Sequence, residues 1–422
     1  MFSSLASSLK LPKFLQSSSS SASNSPDPQV IVLEKVEVKD VETTGEKRGR
    51  KLRQLVKAGR GNWAVCEGGN GVVQMLCSSY TLGATAERLT EVYERVVEEK
   101  GKEFGEEPGW KDSPGEITFD DWRDYLGRRE YQQAYIDFFE DQLVEEGYDW
   151  RQVLEKFLFT GQEPLFNCLL GGLGHPLIHL AYAHEFASHT LAMEALTSAS
   201  CFYSPLHKYL DDPAYSQGAS ALGDTSSTES LSVLLQRIRG DERFAGLDLQ
   251  HDQRKIETLF EKREDALLEY WNAWDFSSNP KQQFEEAQRT VAVLLVSSTA
   301  HQQDMAQVLV MTHAMRALLP LISGKWQVSL LRQWCLLTLA VFVTQGRPDI
   351  DVGRVEKCEL KDRGWKFVDD AVLNTELSFD TNFVKAIRAL KVAGETWGDE
   401  GQFFLKAAVK FADEFKGWSG SV

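Results

Sequence analysis

Apolar residues along most of this chain recur every three or four positions, which is the spacing of an amphipathic helix rather than a strand. Thr85 is a good N-cap, and behind it Leu89, Val92, Tyr93 and Val96 share one face. Upstream, Lys51–Ala58 opens a helical stretch that a glycine-rich break at Gly68–Gly71 interrupts. Helices are predicted from Thr118 to Leu170, with Tyr131, Tyr135, Phe138 and Phe139 as core candidates. Ile256, Phe260, Leu267, Trp271 and Trp274 mark another core face. A long helix is expected from about Phe284 to Pro320, carrying His301 and His313, followed by helices over Val328–Val343, Asp380–Trp397 and Gly401–Phe415. Only Val30–Val38 (VIVLEKVEV) partly alternates, and it predicts one short edge strand. Glu98–Glu116 and Asp211–Thr228 read as surface loops. Without strand–helix alternation, a fixed-period repeat or an internal linker, the pattern predicts an all-α fold, a single large multi-helix domain over 29–422.

Composition trims this picture. Residues 1–28 are Ser-dominated and lack the arginines of a transit peptide, and Pro12 breaks any helix there, so they read as a disordered tail. A formal net charge of −16 with no basic stripe argues against nucleic-acid binding. The run Val328–Val343 is broken by Arg332 and Gln333 and reads as a core helix rather than a membrane span. Six scattered cysteines without a CxxC pair read as thiols of a reducing compartment, which points to the cytoplasm.

Candidate chemistry concentrates in Gly171–Glu185, GGLGHPLIHLAYAHE. Proline is welcome at the first helical position, so Pro176 starts a helix at whose mouth His175 stands. His175 and His179 are four apart and share a face, on which Tyr182 follows. His184 points to the opposite side, and His189 returns to the first face. Two imidazoles at this spacing can share a metal, or bracket a substrate as acid and base. The plainer alternative is that His175 caps the helix and His179 is a hydrogen-bonded core residue. On the helix opened by Asp380, Asn382 and Lys385 can face one spot together. Gly68–Gly71 lacks the third glycine of a dinucleotide loop, where Gln74 stands, and no phosphate loop or serine elbow is present.

The segment GQEPLFNCLLGGLGHPLIHLAYAHEFASHTLAMEAL, Gly161–Leu196, resembles the signature of the questin oxidase-like family, fungal oxidoreductases acting on anthraquinone-type polyketides. LRQLVKAGRGNWAVCE at Leu52, YTLGATAERLTEVYE at Tyr80 and YQQAYIDFFEDQLVEEGYDW at Tyr131 match in order. THAMRALLP at Thr312 and TNFVKAIRALK at Thr381 continue the match. The resemblance implies an oxygen-dependent, NADPH-linked oxidation of Baeyer–Villiger or ring-cleaving type, on an aromatic polyketide of secondary metabolism. It implies a histidine-rich site holding non-haem iron, with His175, His179 and His313 as metal ligands here. It also implies His175, His179 and Lys385 as catalytic groups, with Tyr182 and Asn382 against the substrate.

The chain departs from that pattern. Gly59 and Arg60 stand where an Asn-His pair is expected, and Gly69, Gly71 and Gln74 where a His-Asn-His-x-Pro-His string is expected. Asn382 replaces the histidine before the lysine, and Gln307 replaces another. Amide side chains bind divalent iron much less well than imidazole. Three expectations therefore stand: an active oxidoreductase, a degenerate relative that binds a polyketide-like ligand or a protein partner without turnover, and a plain helical scaffold.

Overall fold

A computed structural model describes residues 30–62, 65, 68–104, 112–215, 229–247, 249, 254–274, 279–297 and 299–419. The serine-rich stretch 1–28 and most of the Asp211–Thr228 segment lie outside the described residues. The first part of the chain forms α1 (Lys47–Asn62), α2 (Gly68–Thr81), α3 (Ala86–Phe104), α4 (Gln132–Glu145), α5 (Trp150–Leu158), α6 (Gly171–Glu185) and α7 (His189–Cys201). Next come α8 (Lys208–Asp211), α9 (Leu231–Gly240), α10 (Lys255–Ala273), α11 (Pro280–Val296) and α12 (Gln303–Leu318). The chain finishes with α13 (Gly324–Thr344), α14 (Gly353–Glu356), α15 (Trp365–Asn374), α16 (Thr381–Trp397) and α17 (Phe403–Glu414). The fold is all-α, with no strand among the described residues.

Burial explains the arrangement. Helices α7, α12 and α13 are buried on nearly every side and are interior. Helix α13 is long and apolar enough to cross a bilayer, yet most of it is buried within the fold, as expected of a core helix. Helix α6 packs on α7 and α12, α12 on α16, and α16 on α2, so these five meet around one interior. Thr85 caps α3 through the Arg88 N–H, and Leu89, Val92, Tyr93 and Val96 are all buried. Of the cysteines described, Cys77, Cys168, Cys201 and Cys335 are buried free thiols.

Four local expectations are corrected. The Val30–Val38 stretch is extended but forms no strand, because its backbone donors go elsewhere. Val30 and Ile31 donate to Gln327 Oε1 at 2.8 and 2.9 Å, and just beyond, Lys39 donates to the Glu185 carbonyl at 2.7 Å. The glycines at 68–71 start α2 instead of breaking a helix. A Cβ on Gly71 would lie 3.0 Å from Thr381 Cγ2, so glycine is what lets α2 approach α16. The helix expected from Phe284 to Pro320 is two helices, α11 and α12. His301 sits in the break between them and its Nδ1 lies 2.9 Å from the Leu295 carbonyl. The Glu98–Glu116 loop starts later than expected, since α3 runs to Phe104.

The glycines of GGLG have a specific task. Gly172, Leu173 and Gly174 occupy left-handed backbone at φ 58, 56 and 78°, a sharp turn ahead of the regular helix. A Cβ on Gly172 would meet the Phe202 ring at 2.7 Å, and one on Gly174 would meet Met311 Sδ at 2.2 Å. Gly174→Ala combines left-handed strain with overpacking and is expected to cost about 2–5 kcal/mol. Urea denaturation checks this against Gly240→Ala, whose added methyl meets nothing within 4 Å and should shift stability by less than about 0.5 kcal/mol.

Candidate functional site

The left-handed turn places His175 at the edge of a cleft of about 740 Å³, within the size range of small-molecule sites. Its wall includes Phe202, Gln307, Thr381, Asn382 and Lys385, drawn from three segments far apart in sequence. A neighbouring groove of about 840 Å³ runs between Ser204 and α10, and its wall is made of paired charges such as Lys208–Glu264 and Arg254–Glu261. Paired charges at a surface suit a solvated groove, whereas the first cleft exposes groups held out of water.

His175 Nδ1 lies 2.5 Å from the Gly172 carbonyl. A carbonyl only accepts, so Nδ1 carries the proton and donates it, leaving Nε2 as a lone-pair acceptor. Burial and the nearby Lys385 charge push the imidazole down to about 4, so it is neutral at physiological pH. Lys385 is 2% exposed, and burial brings its ammonium down to about 8, with Asp380 partly opposing the shift. A neutral base and a poorly compensated cation therefore share one wall. Asn382 stands beside them, as its three-residue spacing from Lys385 predicted.

His179, by contrast, is sealed inside. Its Nε2 lies 2.7 Å from Glu194 Oε2, and its Nδ1 faces Gln74 Nε2 at 3.5 Å. Gln74 Oε1 in turn accepts from Lys385 Nζ at 3.2 Å. Tyr182 and His313 are not among the residues lining the cleft either. The Tyr182 hydroxyl pairs with Ser78 Oγ at 2.6 Å. His313 Nε2 lies 3.5 Å from Glu185, whose carboxylate takes two bonds of 2.8 Å from Arg388. The Arg388 guanidinium lies over the Tyr182 ring at 5.0 Å. His184 lies against Trp150, and burial lowers it to about 3. His189 begins α7 rather than continuing α6, because the chain turns at 186–188; it reaches Glu42 at 3.5 Å.

The histidines thus separate into a cleft residue and interior ones. Among the described residues no three His, Cys, Asp or Glu side chains are grouped to hold a metal. His179 has both nitrogens engaged, Lys385 at its bond to Gln74 is a donor, and Gln74 offers an amide. This donor set does not fit a non-haem iron, and His175, His179 and His313 do not form the expected ligand trio. Of the cations along the cleft, Arg254 is tied to Glu261 at 3.0 Å and Lys255 to Asp304 at 2.5 Å.

Glu185, Glu194 and Arg388 were not singled out from sequence. A signal was present for the two glutamates, because each is a negative charge inside a largely uncharged helical run, and a buried charge needs a partner.

The questin oxidase-like family profile matches residues 69–390, a span that holds every cleft residue named above. A Baeyer–Villiger oxidase of Paecilomyces divaricatus is 39% identical over 79 residues, 18% of this chain and 16% of that one. A questin oxidase of Aspergillus terreus is 30% identical over 124 residues, 29% of this chain and 26% of that one. A Baeyer–Villiger oxidase of Pestalotiopsis microspora aligns more widely, at 24% identity over 352 residues, 77% of this chain and 75% of that one. The chain therefore matches only a minor part of the length of the first two. With the family profile matching most of its length, the chain belongs to the questin oxidase-like family.

Proposed function

We propose that the cleft binds a hydroxylated, anthraquinone-like aromatic polyketide and that the chain catalyses its oxygen-dependent oxidation, by Baeyer–Villiger-type insertion or ring cleavage. The observation that carries this reading is the pairing of the neutral His175 Nε2 with the Lys385 ammonium on one cleft wall. His175 takes the proton of a phenol, and Lys385 with Asn382 holds the phenolate oxygen that results. The Phe202 ring supplies a flat apolar face for a planar substrate. An electron-rich phenolate is the form of such a ring that reacts with oxygen. In an insertion, one oxygen atom enters a carbon–carbon bond and the other leaves as water, with NADPH and a proton supplying two electrons.

The test is substrate-dependent consumption of oxygen and NADPH with a panel of hydroxyanthraquinones. Turnover is expected to decline as pH rises through about 8, where Lys385 loses its proton. The arginine in Lys385→Arg stays charged, so this alkaline limb should move up and out of the range. Oxygen uptake that is insensitive to substrate would overturn the proposal. A second reading, binding without turnover, draws on Gly69, Gly71, Gln74 and Asn382 at positions where the family resemblance implies histidine. It predicts saturable binding of the same compounds with no oxygen uptake.

A further inference from the structure

Four buried polar side chains connect the interior to the cleft in a fixed order: Glu194, His179, Gln74, Lys385. They come from α7, α6, α2 and α16, and the three interior members are at most 2% exposed. Each junction has only one satisfactory polarity. The Glu194 carboxylate accepts, so His179 Nε2 carries the ring proton and Nδ1 is an acceptor. Gln74 must then turn its NH₂ toward His179, which leaves its carbonyl facing the Lys385 ammonium. If His179 took the other tautomer, the Gln74 amide would flip and present NH₂ to the ammonium, donor against donor. The accepting carboxylate of Glu194 thereby sets the orientation of an amide two hydrogen bonds away.

We propose that Glu194 and Gln74 are positioning residues that hold the Lys385 ammonium at the cleft wall as an anion subsite, with His179 transmitting the polarity between them. The inference rests on the reading of the cleft as the binding site for a phenolic substrate. It gives His179 a role that needs no metal, because both of its nitrogens are used within the chain of hydrogen bonds. It also explains why an amide suits position 74: one side chain must donate to an imidazole and accept from an ammonium at once. Imidazole at that position could do so only in one tautomer.

The experiment uses the full-length protein and 1,8-dihydroxyanthraquinone as probe, whose absorption band moves to the red on ionisation. Bound to the intact protein, the probe should ionise at lower pH than it does free in buffer. Lys385→Met removes the cation and should abolish that shift. Gln74→Met keeps the side-chain length without polarity, and Glu194→Gln keeps the shape but removes the fixed acceptor. Both should weaken binding of the ionised probe about tenfold, as expected for losing one hydrogen bond to a charged group, while the neutral form binds as before. Thermal midpoints taken alongside show whether either variant remains folded, and Glu194→Gln is the milder of the two.

If Lys385→Met abolishes the shift but folded Gln74→Met and Glu194→Gln behave as the parent protein, the positioning chain is wrong and the cleft reading survives. If Lys385→Met itself leaves the shift intact, the cleft reading fails and the positioning proposal falls with it. Equal weakening of neutral and ionised probe by Gln74→Met and Glu194→Gln would mark them as merely structural and also overturn the proposal.

Discussion

Arg388→Met should destabilise the protein by about 3–5 kcal/mol at pH 7, a large share of the roughly 5–15 kcal/mol that holds a typical domain together. Arg388 and Glu185 are 2% and 6% exposed and share two bonds of 2.8 Å. Methionine fills the volume but leaves the Glu185 carboxylate buried, with only the His313 imidazole, which burial keeps neutral at pH 7, at 3.5 Å. Burial by itself raises the Glu185 acidity constant; Arg388 and His313 overcome it and hold the group at about 2. The folded value is below the ordinary one of 4.5, so the pair's contribution is present above that pH. It is lost as pH falls through the acid range. In the variant, burial is unopposed and the carboxyl takes up a proton more readily. Its stability relative to the parent should therefore recover on mild acidification, which urea titrations at pH 7 and pH 5 would show. Adding Glu185→Leu to Arg388→Met should restore much of the loss, because no lone buried charge remains. If the single variant loses less than about 1 kcal/mol, water reaches the carboxylate and the pair is not sealed.

His175→Ala should lower turnover by about 10²–10⁴-fold, the usual worth of a positioned acid or base, while leaving stability within about 1 kcal/mol. Its side chain stands at the cleft edge rather than in the core, so its loss opens little space. Because burial and Lys385 keep the imidazole near 4, the parent's activity should persist into the acid range and fall only as pH drops through that value. His175→Gln restores an acceptor of similar length without basicity. It should keep ligand affinity yet stay slow, separating KM from kcat. Equal turnover in both variants and the parent would remove His175 from the chemistry.

Much of the helical architecture was legible in the spacing of apolar residues, since a helix face is a local property of ten or fifteen positions. Thr85, Leu89, Val92 and Val96 fell where the period placed them. The misplaced features were set by distant partners. Val30–Val38 reads as a strand because of its alternation, but the backbone at its start, Val30 and Ile31, is bound by Gln327, nearly three hundred residues away. The end of α11 at Val296 could not be told from continued helix, because the apolar period runs through it. At the site, the four-residue spacing set His175 and His179 one helical turn apart, and the three-residue spacing set Asn382 and Lys385 along the same cleft. Spacing cannot say how deep each turn of a helix lies, however. One turn separates a histidine at the cleft edge from one with no exposure at all. Tyr182 likewise lies a turn deeper than the cleft lining.

The left-handed turn at Gly172–Gly174 also bears on how the site can change over generations. Catalytic histidines are commonly oriented by an aspartate or glutamate, which a single base change can replace. His175 is oriented instead by a peptide oxygen, and every codon encodes one. A mutational scan of the region should find no side chain whose loss alone flips the ring. The sensitive positions should instead be Gly171, Gly172 and Gly174, where almost any substitution bends the path of the chain. Tolerance would then be lowest at the residues with no side chain to lose.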